Sequence, residues 1–194
     1  MKKLILILIL FFQLFSVFSQ EKEEISILKN TKNWKKEIIK FPIEWVPDLK
    51  YTGFEELRFS PNWSDPKDEQ FWSLVIGWML ETKSILTLKE LKYNFKSYFD
   101  GLMKPNHWST NFPNPEVHFT KKPTKNSHDS FIGEMKFFDG LHSGKLVDVN
   151  IQLKQIFCKK KQKTLIIFRL SPKKFHHRVW GKLNEIKLNE EFCN

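Results

Sequence analysis

The sequence predicts an α+β fold: an antiparallel meander of four to five strands, two helices inserted after the first strand, and a short C-terminal helix. Three observations carry this expectation. Apolar and polar residues alternate with a period of two over much of Val117 to Leu170, and short polar turns separate the runs; this is the pattern of half-buried strands joined in a meander. Thr87-Leu88-Lys89-Glu90 reads as a capping box, and Leu88, Leu91, Phe95, Tyr98, Phe99 and Leu102 follow it as one helical stripe. Asp65-Pro66, with Asp68 and Glu69 behind it, carries the signals of a helix start before the apolar run Phe71 to Leu80.

The elements follow in order. Met1-Lys2-Lys3 precedes an apolar stretch, and Val17-Phe18-Ser19 follows it. A basic start, an apolar core and small residues before a cleavage point predict a secretory signal, removed near Ser19. The stretch from Leu4 to Phe18 is about 15 residues, short of the ~20 that a spanning helix needs. Residues 1–19 are therefore expected to leave as a signal peptide, residues 20–33 to form a flexible lead-in, and residues 34–194 to fold as a single α+β domain. Pro42 and Pro47 forbid a continuous helix between Trp34 and Pro47 and favour an extended segment over the core. Tyr51 to Ser60 reads as the first strand, and Phe71 to Leu80 and Leu88 to Leu102 as the two helices. Segments around Val117–Phe119, Phe131–Phe138, Val147–Leu153 and Thr164–Leu170 read as the meander. Val179, Leu183 and Ile186 mark one face of the closing helix.

Composition narrows the function. The formal charge of +10 rests on lysine, with only Arg58, Arg169 and Arg178 as arginines. A lysine excess in solvated turns lacks the bidentate donors of specific base reading, so nucleic acid is not an expected partner. No integral membrane segment is expected once the signal is removed. The only two cysteines, Cys158 and Cys193, form an even pair that predicts a disulfide in an oxidising compartment. The expected location is the periplasm or the cell exterior.

The candidate chemistry is sparse. His128-Asp129-Ser130 has the residue types of a hydrolase triad, but neighbours in extended chain point to opposite faces. His176-His177 lacks the spacing of a zinc pair, so no metal and no other cofactor is expected. Glu55-Glu56 and Glu190-Glu191 are neighbours that diverge, while Asp139 and Asp148 could face each other across a hairpin. Tryptophan in polar loops is more suggestive: Asn62-Trp63-Ser64 and His107-Trp108-Ser109. Trp63, Trp108 and His107 are the candidate ligand-binding residues, because an exposed indole beside hydrogen-bonding groups suits a sugar face or an extended peptide.

The segment Tyr51-Thr52-Gly53-Phe54-Glu55-Glu56-Leu57-Arg58-Phe59-Ser60-Pro61-Asn62-Trp63, together with Phe168-Arg169-Leu170-Ser171-Pro172, Trp180 and Cys193, resembles a group of small exported proteins of Bacteroidota type with no established activity. The resemblance implies an envelope protein and transfers no catalytic residue. The expected function is a non-enzymatic envelope or secreted binding module, with a glycan or another envelope protein as partner. The alternative is an envelope-acting hydrolase whose site gathers loop histidines and carboxylates.

Overall fold

The computed structural model describes residues 26–104, 112–122 and 129–194. Its main element is a seven-stranded antiparallel sheet in the order β2-β3-β4-β8-β7-β6-β5, built from β2 (Lys35–Phe41), β3 (Gly53–Phe59), β4 (Leu74–Glu81), β5 (Glu116–Lys122), β6 (Asp129–Asp139), β7 (Lys145–Cys158) and β8 (Lys163–Ser171). Two-residue strands β1 (Leu28–Lys29) and β9 (Lys187–Leu188) form a separate ribbon. The helices are α1 (Leu88–Met103) and α2 (Val179–Glu185). The chain thus lays down a three-stranded meander, crosses by α1 to the far edge, and returns through a four-stranded meander until β8 pairs with β4.

This corrects the expected fold class: the sheet has seven strands rather than four to five, and no pair of helices follows the first strand. Of the residues read as a helix from Phe71 to Leu80, those from Leu74 onward form β4 instead, and the first three end the preceding turn. That strand occupies the middle of the sheet and is buried on both faces, Val75, Gly77 and Met79 on one and Leu74, Ile76, Trp78 and Leu80 on the other. A strand covered on both sides loses its alternation and reads as a continuous apolar run. The supposed helix start is a series of turns, in which Asp65 Oδ1 accepts from Lys67 N and Asp68 Oδ1 from Gln70 N. Aspartates capping their own loop give the same local signal as a helix cap.

The segment from Trp34 to Pro47, expected to be extended, supplies β2, an edge strand that ends at Phe41 just before Pro42. Residues 26–33, read as part of the lead-in, lie against the domain, with Ile27 fully buried and β1 paired to β9. α1 begins where the sequence places it. Thr87 Oγ1 accepts from Glu90 N, and the Glu90 carboxylate accepts from Thr87 N.

Two cores share the sheet. On one face, α1 packs Phe95 against Phe168 at 4.5 Å between ring centroids, with Trp78, Phe99 and Phe137 around them. On the other, Val179, Trp180 and Leu183 of α2 join Ile27, Leu28 and Leu188 over Val75, Leu165 and Ile167. The second core is closed by the disulfide between Cys158 and Cys193, whose Cα atoms are 4.8 Å apart. Among the described residues no helix is long and apolar enough to cross a membrane.

Candidate functional site

The site begins with a loop that brings two tryptophans together. Between β3 and β4 the chain folds back so that Trp72 N donates to Trp63 O at 2.8 Å, and the indoles meet edge to face at 5.6 Å. Trp72 holds φ of +49°, a conformation costly for a bulky residue, on the order of 1–3 kcal/mol. The backbone bond to Trp63 and another from Ser73 N to Gln70 O fix it there. The turn after β6 adds a third ring. The buried Asp139 carboxylate accepts from the backbone N–H groups of Leu141, His142 and Ser143 and from Ser143 Oγ. This turn sets His142 against Trp63 at 4.7 Å. Burial lowers the His142 pKa, opposed by the Asp139 charge, so the ring favours its neutral form.

From the other side, Gly101 of α1 admits the loop after β2. A Cβ at position 101 would collide with the carbonyl oxygen of Trp45. This close approach seats Trp45 against Tyr98 at 5.2 Å. The loop tryptophans Trp63 and Trp72 together with Trp45 and Tyr98 wall a cavity of about 260 Å³ between β2, β3, β4 and α1, and His142 lies outside its lining. Trp45, Trp63, Trp72, Tyr98 and Phe99 supply its aromatic surface, with Leu57, Leu74 and Ile76 rising from the sheet. Lys35 and Glu37, both exposed on edge strand β2, are its charged members. The Trp72 indole N–H is buried without a hydrogen-bond partner in the protein, as is His142 Nε2.

Behind Tyr98 sits Glu55, fully buried. Burial pushes its pKa up to about 8, the Tyr98 hydroxyl and Trp78 indole N–H pull it back, and Glu37 raises it again. The two donors face the carboxyl without closing to hydrogen-bond geometry, so neither carboxyl oxygen has a full partner. Its neighbour Glu56 points to the opposite face. There it accepts from Ile27 N at 2.7 Å and Ser26 Oγ at 2.8 Å, and pairs with Arg58. Glu55 and Glu56 thus serve different cores.

Of the candidate residues, Trp63 lines the cavity, while Trp108 and His107 lie outside the described residues, as does His128. Asp139 and Asp148 do not face each other. The register sets Asp139 opposite Lys145 and Asp148 opposite Lys136, and one is buried while the other is exposed. His177 Nδ1 accepts from Val179 N, so its ring takes part in the turn that starts α2. No group of three histidine, cysteine or acidic side chains able to hold a metal exists among the described residues. Sequence reading missed Trp45, Trp72, Tyr98 and Glu37 as a set. Tyr98 was visible as a member of the helical stripe, but Trp72 was hidden inside an apolar run assigned to the wrong element.

Fold and site define a small antiparallel-sheet domain with an aromatic cavity between strands β2 to β4 and one helix. Comparison with family models, curated proteins and solved structures found no match to the chain.

Proposed function

We propose that this chain is an exported, non-enzymatic binding domain whose cavity takes a small, largely apolar ligand, or an apolar group presented by an envelope glycan or protein. The observation that carries the reading is the cavity itself. Its walls are aromatic and aliphatic, and its charges are confined to Lys35 and Glu37. An apolar pocket with few polar groups suits binding, the polar groups fixing orientation. At about 260 Å³ it exceeds the ~150 Å³ cavity that accepts benzene, so a one- or two-ring body fits. Hydrolysis would need paired catalytic groups around a common bond. Glu37 is exposed and Glu55 is sealed in the core, an arrangement that favours binding.

Export is supported by the basic and apolar start of the sequence and by the disulfide. N-terminal sequencing of the native protein is expected to begin at Gln20, and material beginning at Met1 would remove this part of the reading.

Tryptophan fluorescence tests the cavity. Titration with indole and with short neutral oligosaccharides is expected to give a saturable change for at least one probe. Trp63→Ala should weaken that binding about tenfold, in line with loss of a buried aromatic contact. Equal affinity in wild type and Trp63→Ala, or no response to either probe, overturns the proposal.

A further inference from the structure

On the opposite face of the sheet a second groove, about 460 Å³, runs between β7, β8, α2 and the β1–β9 ribbon. Its walls carry four cationic side chains, Lys29, Lys154, Arg169 and Lys187, and only two carboxylates, Glu190 and Glu191. Both carboxylates come from one 3-10 turn, Glu190–Cys193, fastened by the disulfide. They pair across the groove, Glu190 with Lys154 at 3.0 Å and Glu191 with Lys29 at 2.7 Å. Lys187 has no acidic partner among the described residues, and neither has Arg169.

Arg169 is the unusual member. Its Nε donates to Leu183 O at 2.9 Å and its Nη2 to Ile186 O at 2.6 Å, carbonyls at the C-terminal end of α2. A helix end offers only about half a negative charge. No carboxylate reaches the guanidinium, and burial alone brings its pKa down to about 10. A guanidinium has five N–H donors, and two of Arg169 are used. Four cations set against two carboxylates leave two positive charges in one half-enclosed groove. A buried cation without an anion costs free energy that a bound anion recovers.

We propose that this groove is a binding site for a tetrahedral dianion, a phosphate monoester group, held by Arg169, Lys154 and Lys187, with the Glu190–Glu191 turn as its built-in competitor. Such a group carries about −1.5 to −2 charges near neutral pH, which matches the excess in the groove. Arginine supplies directed donors to its oxygens, and the lysines supply point charges at the rim. The site stands apart from the aromatic cavity, across the sheet, and does not depend on it.

The test is calorimetric titration of the intact, oxidised protein with inorganic phosphate and inorganic sulfate, against chloride at matched ionic strength. Saturable binding of one molar equivalent of either dianion is expected, with no such response to chloride. Glu190→Gln combined with Glu191→Gln should tighten binding at least fivefold, because the competitor is removed. Lys154→Ala combined with Lys187→Ala should weaken it at least tenfold. Lys187→Ala alone, at an exposed position, should still weaken it severalfold if the double variant fails to fold. A phosphorylated monosaccharide and phosphatidic acid vesicles then separate a soluble ester from a lipid headgroup. Absence of saturable dianion binding in both the wild type and the glutamine variant overturns the proposal, as does binding that Lys187→Ala leaves unchanged.

Discussion

Glu55 stays protonated near neutral pH because folding places it where its charge would have no solvent. Its folded pKa of about 8 lies above the ordinary carboxylate value, and burial is the largest cause. The folded chain therefore holds a proton that the unfolded chain releases. The resulting stabilisation is fully present below the unfolded pKa and is lost as pH rises through about 8. Urea unfolding should show stability falling between pH 5 and pH 9 by roughly 3–5 kcal/mol from this group. Glu55→Gln, which keeps the shape without the titration, should flatten that fall; an unchanged slope would mean that another group carries it. Glu56, one residue away, is bound differently. Its carboxylate is paired with Arg58 and accepts two backbone N–H bonds from Ile27 and Leu28. Glu56→Ala leaves Arg58 buried without its partner and should cost about 3–5 kcal/mol. Hydrogen exchange at the Ile27 and Leu28 amides, measured by NMR, should accelerate in the same variant.

At the scale of elements, the cavity exists because a loop, an edge strand and a helix approach closely. Gly101 sets the last of these distances, since a side chain there would strike the backbone of Trp45. Gly101→Ala should lower stability by about 1–3 kcal/mol, the usual cost of overpacking. It should also weaken indole binding, because Trp45 must move away from Tyr98. Calorimetry and fluorescence titration on one preparation check both. The same elements show what the sequence could disclose. α1 was legible because its cap and stripe are local and half its surface meets water. β7 was legible because residues 147–154 keep alternating while the β5–β7 wing has one uncovered face. β4 was not, because both faces are covered and periodicity vanishes where burial is complete. β2 was legible only as an extended segment, its neighbour β3 being set by tertiary pairing. The cavity needed Trp45, Trp63, Trp72 and Tyr98 to meet from three separate segments, and no local pattern records such a meeting. Trp63 was the one member a loop context could single out.

For the whole molecule, the sheet is a partition with a helix on each side, and the ends of the described chain are drawn together on one of them. β1 pairs with β9, and the disulfide ties the final turn to the end of β7. Closing a loop across 35 residues is worth roughly 3–4 kcal/mol in the chain-entropy picture. Reduction with dithiothreitol should therefore lower the melting temperature by several degrees without abolishing the fold. The same treatment should loosen the Glu190–Glu191 turn and tighten phosphate binding in the adjacent groove. Calorimetry of oxidised and reduced protein reads both effects.

The pairing of β4 with β8 sets a timetable for folding. Leu74 lies opposite Leu170 and Leu80 opposite Thr164, partners 96 and 84 residues apart along the chain. Contacts between such distant segments slow folding, because a large loop must close before they form. A chain emerging from its amino end would carry one side of β4 uncovered until the last long strand arrived, the period in which a holding chaperone is most useful.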